Sequence, residues 1–199
     1  MAYGHKKYKT EEHESEVIVV DILPYVLSVK RGEDKRGNPR KSSVIGVGTR
    51  RYTLLDIEPR EDASIKIGEI LNLGPENREK VKFVARKLRY EELPDAAKEN
   101  LESAISKIVE RREKEYINFI NNSGMVTSAM HVLRLLPGVG PKVLQKILEE
   151  REKKPFESFK DFNSRVNVQA ERLITKRIIE ELSTKQRYYL FVKDVERSF

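Results

Sequence analysis

Residues 135 to 142 read LLPGVGPK. Two glycines one residue apart, bracketed by prolines, interrupt stretches of helical periodicity, and neither residue type suits a helix interior. The run predicts a sharp corner that opens a helix. The first N–H groups of a helix lack partners and its start carries partial positive charge, so such a corner attracts anions. Because Gly138 and Gly140 hold no side chain in the way, their N–H groups and those of the residues after Pro141 can approach a phosphate oxygen. Lys142 in the first helical turn directs an ammonium at the same anion, and Lys146 lies one turn further on. A grip of this kind reads the backbone of a nucleic acid and ignores its bases. Gly138, Val139, Gly140, Lys142 and Lys146 are therefore the first candidate binding residues.

LPGVGPK between two predicted helices, spanning roughly Thr127 to Glu152, resembles the helix-hairpin-helix motif of repair and recombination proteins, whose hairpin binds phosphates without sequence preference. It departs from that motif at Leu144, where a small alanine is usual. Further on, RVNVQAERLITKRII repeats the outline with Asn167, Val168 and Gln169 in place of Gly138, Val139 and Gly140, and with Glu171 in place of Lys142. A carboxylate at that position repels phosphate. The reading is a tandem in which the first copy binds and the second completes a core of Phe156, Phe159, Phe162, Val166, Leu173, Ile174 and Ile178.

The elements that carry these corners change character along the chain. Residues 1–15 are polar and aperiodic and read as a basic arm. From residue 16 to 93, EVIVVDILPYVLSVK, SSVIGVGTRRYTLLDIEP, IKIGEILNLG and KVKFVARKLRY predict four or five short strands, which suit a small, closed or half-closed antiparallel barrel of the oligonucleotide-binding type. Residues 94–124 follow as a connecting helix, its apolar positions running from Ala97 and Leu101 to Phe119 and Ile120. A tandem helix-hairpin-helix domain over 125–183, its first helix at about Thr127–Leu135, and a tail over 184–199 complete the chain. The Tyr188–Val192 run in the tail is strand-like and is expected to return to the barrel. The fold class is α+β, a small barrel followed by an all-α domain.

Charge points the same way. The chain carries +7 with a pI near 9.4, a balance that favours a polyanionic partner. Between Lys30 and Arg51, Lys30, Arg31, Lys35, Arg36, Arg40, Lys41, Arg50 and Arg51 face only Glu33 and Asp34, so one short region supplies most of the excess. Basic loops beside exposed rings bind single strands, because bases stack on the rings while Lys and Arg follow the phosphates. Tyr25, Tyr52, Phe83 and Tyr90 are the candidate rings, Tyr52 foremost because it follows Arg50 and Arg51 directly; Phe83 reads as core. Lys80, Lys82, Arg86, Lys87 and Arg89 supply further charge.

The chain has no cysteine, and His5, His13 and His131 lack metal-ligand spacing, so a zinc-stabilised module is excluded and no cofactor is expected. No phosphate loop of the Gly-x-x-x-x-Gly-Lys type is present, and the acidic residues mostly alternate with basic ones along helices, so the sequence predicts a non-catalytic protein. It contains neither a signal peptide nor a stretch approaching a membrane span, which predicts a cytoplasmic protein with no membrane partner. The charged fraction of 36% with no Cys or Trp matches the drift of heat-adapted proteins.

The assembly of basic arm, small barrel, connecting helix and paired hairpin units resembles an archaeal family of uncharacterised proteins predicted to bind RNA. That resemblance implies an RNA partner and a link to ribosome or translation processes. The residues themselves leave three alternatives open: an RNA-binding protein, a DNA-binding repair accessory, and a protein-interaction scaffold with a vestigial hairpin.

Overall fold

The computed structural model describes residues 13–24, 42–74 and 78–193. Tyr25, Lys35, Arg36, Arg40 and Lys41 lie outside them. The chain divides after Ala97 into two compact units.

The first unit is a five-stranded antiparallel sheet, β1 (Glu16–Leu23), β2 (Ser43–Gly48), β3 (Leu54–Pro59), β4 (Ile70–Asn72) and β5 (Val81–Leu88), curled into a half-barrel in the order β4-β1-β2-β3-β5. β1 to β3 are rich in Val, Ile and Leu and are buried along almost their whole length, as a pleated surface covered on both faces requires, whereas β5 carries cations and is mostly half-buried. Val17, Val19, Val44, Leu55, Ile57, Leu71, Leu73 and Val81 form one core, while Ile18, Ile45 and Val47 are buried as well. A bulge in β1 shifts the register from Val19 opposite Gly46 to Asp21 opposite Ile45, and it increases the local twist. The segment before β4 closes against this bulge through Val19 N–H to Glu69 O at 2.9 Å and Gly68 N–H to Val19 O at 2.7 Å.

The second unit is helical. α1 (Asp95–Arg111) enters it and α2 (Glu113–Asn122) continues after a break at Arg112, so the single connecting helix expected is two. A small ribbon, β6 (Met125–Thr127) with β7 (Met130–His131), and a 3-10 turn over Val132–Leu135 occupy the place where a helix from Thr127 to Leu135 was expected. Thr127 explains part of the difference, since its hydroxyl accepts the Ala129 N–H at 3.3 Å and holds a turn instead of a helix start. α3 (Pro141–Lys153), α4 (Phe159–Val166) and α5 (Ala170–Ser183) follow, with α3 on α4 and α4 on α5. Ser158 caps α4 by accepting the Asp161 N–H at 3.1 Å. All seven core residues expected in this region are buried, and the Phe156 and Phe162 rings meet edge to face with centroids 4.8 Å apart.

The described part of the tail, residues 184–193, contains no strand. Residues 190–192 are held within the helical unit by Glu181, whose carboxylate accepts the N–H groups of Leu190, Phe191 and Val192 at 2.7 to 2.9 Å and the Arg177 guanidinium at 2.9 Å. Phe191 then sets its ring against Tyr116 and Phe119, at 5.4 and 5.2 Å. The anchor holds because a buried carboxylate flanked by one Arg satisfies three backbone donors that would otherwise go unpaired.

Candidate nucleic-acid interface

The corner begins at His131, whose Nδ1 accepts the Leu133 N–H at 3.2 Å and so caps the 3-10 turn. Burial, reinforced by the Arg151 charge, holds this imidazole below its usual pKa range, so it is neutral at pH 7 and suited to accept. Arg151 in turn donates to the carbonyls of Ile120 and Ser123, both at 2.9 Å, which ties α3 to the end of α2.

Val139 N–H donates to Leu136 O at 3.0 Å, closing a four-residue turn with Pro137 and Gly138 at its centre. Gly138 has φ +91°, the left-handed value that a proline-glycine turn of the second type demands. Gly140 N–H bends back to Gly138 O at 3.2 Å, and Gly140 O accepts the Leu144 N–H at 2.9 Å as the first helical bond of α3. Pro141 sits at the first helical position, where its missing N–H costs nothing. The N–H groups of Lys142 and Val143 in the same turn have no preceding helical carbonyl to reach. Leu136 and Val139 are buried, anchoring the loop beside buried Leu133 and Ile147, while Lys142 and Lys146 are exposed on one face of α3. Sequence reasoning missed Arg134, exposed in the 3-10 turn just before the corner; once that turn is taken as part of the hairpin, its charge is the signal.

The two glycines differ in what they do. A methyl group on Gly138 meets both the left-handed backbone and Leu173 Cδ2 at 3.4 Å, whereas Gly140 has φ −77° and a methyl there meets nothing within 4 Å. Neither conformation nor packing calls for glycine at Gly140.

The second corner is built alike and closed. Asn167 takes the left-handed conformation at φ 62°, matching Gly138. Asn163 Oδ1 accepts the Ala170 N–H at 2.8 Å and its amide donates to the Glu171 carboxylate at 3.0 and 3.2 Å. Side chains of the same chain thus occupy the start of α5.

The sheet unit departs from expectation at Tyr52. Its ring, expected to present a stacking face, is buried at 1% exposure, with a left-handed backbone at φ 62°. The turn between β2 and β3 folds the residue inward. Phe83, expected in the core, is half-buried on β5 with Lys82 Nζ 5.9 Å from its centroid, and Tyr90 is half-buried in a 3-10 turn. Arg86 pairs with Glu92 at 2.6 Å and lies 3.9 Å from buried Asp56, and Lys80 pairs with Glu69 at 2.5 Å, so both cations serve the fold. Arg50 is exposed and Arg51 half-buried. A cavity of about 440 Å³ in the sheet unit is lined by Ile22, Val44 and Ile65 together with Glu58, Arg60, Glu61 and Lys82. Among the described residues no group of three or more His, Cys, Asp or Glu is arranged to hold a metal ion, and no helix is long and apolar enough to cross a membrane.

Fold and site define a two-unit α+β protein, a curled five-stranded sheet followed by helices that carry one open and one closed glycine-type corner. The chain belongs to the DUF655 family: the model for that family, described as a protein of unknown function, matches residues 13–193. It is 37% identical over 190 residues to the uncharacterized protein MJ0038 of Methanocaldococcus jannaschii, covering 94% of this chain and 84% of that one. It is also similar to the crystal structure of Af1531 from Archaeoglobus fulgidus, with a TM-score of 0.79 at 36% identity, over 90% of this chain and all of that one. Both relatives are archaeal.

Proposed function

We propose that this protein is a non-catalytic nucleic-acid-binding protein, with RNA favoured over DNA and a ribosomal or translation-related RNA as its target. It grips phosphates through Leu136–Lys142 and a basic barrel surface. The observation that carries the reading is Gly140, a glycine required by neither its backbone nor its neighbours. A bare Cα beside the N–H groups of Lys142 and Val143 leaves room for a phosphate oxygen, and Lys142 and Lys146 add charge. The left-handed residue shared by both corners supports the tandem helix-hairpin-helix reading. The strand order β4-β1-β2-β3-β5 supports an oligonucleotide-binding barrel left open between β4 and β5. In such barrels the loops after the first and fourth strands flank the binding face. Lys35, Arg36, Arg40 and Lys41 fall in the first of these by sequence.

A DNA-binding accessory is the second reading, favoured by the resemblance of LPGVGPK to the hairpin of repair and recombination proteins. The test is salt-dependent binding to matched single- and double-stranded RNA and DNA, with Gly140→Glu as control. Preference for RNA that weakens with salt and with the substitution is expected. Equal or better binding to duplex DNA favours the second reading, and no binding to any of them leaves a protein scaffold.

A further inference from the structure

The turn between β2 and β3 holds an anion already. Gly48 N–H donates to Thr53 O at 2.9 Å and closes the loop; within it the N–H groups of Arg50, Arg51 and Thr53 converge on the carboxylate of Glu14, at 3.0, 2.9 and 3.1 Å. The left-handed backbone of Tyr52 turns the donors to one side, and burial of its ring fixes them there. Successive N–H groups presented in this way form a concave receptor for oxyanions. Gly48 completes it: a Cβ on this residue would lie 2.0 Å from Glu14 Cδ and 2.1 Å from Oε1. The cradle is thus shaped to one carboxylate, delivered from a segment 36 to 39 residues away in sequence. The bond to Arg50 N–H is exposed, so the site opens to solvent.

Carboxylate and phosphate oxygens satisfy the same three donors, and two arginines belong to the same loop. We propose that Arg50–Thr53 is a receptor for a phosphate oxygen and that Glu14 is its resident competitor, which a phosphate group must displace. The source of that phosphate is either a nucleic-acid backbone, which rests on the function proposed above, or a free phosphate, which does not. On this assignment Glu14 lowers affinity for any phosphate that cannot outcompete an intramolecular carboxylate, and so confines the loop to strands anchored elsewhere on the protein.

The test uses the full chain, isotope-labelled, in three forms: wild type, Glu14→Ala, which empties the cradle, and Glu14→Ala combined with Gly48→Ala, whose methyl group fills the space the carboxylate left. Melting curves and amide spectra establish that each is folded; Glu14→Gln, whose neutral oxygen is the weaker competitor, stands in for Glu14→Ala where that change does not fold. Inorganic phosphate is titrated first, and then a short oligouridine. The amide signals of Arg50, Arg51 and Thr53 are expected to shift saturably with phosphate in Glu14→Ala, at least tenfold less readily in the wild type, and not in the double variant, where the methyl group blocks the cradle. Oligouridine is expected to bind Glu14→Ala several-fold more tightly than wild type, with a steeper salt dependence. Amides that ignore phosphate in folded Glu14→Ala overturn the receptor and make Glu14 a cap of the turn only, and equal shifts in the double variant overturn it too, because they put the phosphate outside the cradle. Phosphate entering the emptied turn while no form binds oligouridine supports the receptor with a free phosphate as its ligand, and overturns the nucleic-acid function instead.

Discussion

Replacing each glycine of the open corner by alanine separates folding from binding. At Gly138 the methyl group must be carried at φ +91°, a left-handed conformation that costs an L-residue about 1–2 kcal/mol, and it also touches Leu173 Cδ2 at 3.4 Å. For a unit of this size that loss lowers the melting midpoint by roughly 5–10 °C. At Gly140 the backbone is extended, φ −77° and ψ 178°, and the methyl points into open space. Alanine there sacrifices a slightly better cap residue but restricts the unfolded chain, two effects that roughly cancel within about 0.5 kcal/mol. The same methyl group stands where a phosphate oxygen approaches the Lys142 and Val143 N–H groups. Loss of one charge-assisted hydrogen bond at about 1.5 kcal/mol corresponds to roughly tenfold weaker binding. Thermal melts and fluorescence anisotropy with single-stranded RNA, each at two salt concentrations, measure both sides. Gly140→Ala is expected to melt with wild type and bind about tenfold more weakly. Wild-type affinity in that variant refutes the proposal that the corner admits phosphate, and an unchanged melt in Gly138→Ala refutes the conformational argument.

The neutral His131 makes the helical unit sensitive to mild acid. Its pKa is lower folded than its ordinary 6.5, so the unfolded chain takes the proton first, and the stability it contributes is complete above that value and lost as pH falls through it. His131→Asn keeps a side-chain acceptor for the Leu133 N–H without titrating, and its midpoint is expected to fall less than wild type between pH 7 and 5.5; equal slopes in thermal melts contradict this. Glu181→Gln removes the buried countercharge of Arg177, leaving only the half-exposed Glu180 carboxylate at 3.7 Å, at about 3 kcal/mol, and loosens the tail. Hydrogen exchange at Leu190, Phe191 and Val192 is expected to rise with the loss in denaturant stability, and protection equal to wild type rejects the anchor. Gly48→Ala is expected to cost about 2 kcal/mol in the wild type, through the Glu14 hydrogen bonds it breaks, and well under 1 kcal/mol in Glu14→Ala. A double-mutant cycle by urea unfolding that gives equal costs excludes the clash as the cause.

Local signals were enough for much of this protein. β-branched runs between loop residues mark the strands, because a side chain alternates across a pleat whatever its partner. Helical spacing marks α3 to α5 and the stretch that holds α1 and α2, though not the break between them at Arg112, and LPGVGPK marks its corner, because proline and glycine restrict or free the backbone where they stand. Glu171 in place of Lys142 marks the two corners as different in charge, but that Asn163 closes the second is visible only in the fold. Tyr52 was misread because adjacency to Arg50 and Arg51 says nothing of the side to which a left-handed residue turns its ring. The helix expected over Thr127–Leu135 became a ribbon and a 3-10 turn, since a period of apolar residues over so few positions fits either. Contacts distant in sequence were decided by tertiary structure alone: Glu14 in the cradle of Arg50 to Thr53, Glu181 on the tail, and the empty space at Gly140. A hydrogen bond between groups 36 residues apart depends on how the strands curl, and whether a glycine is spare depends on what the fold leaves beside it.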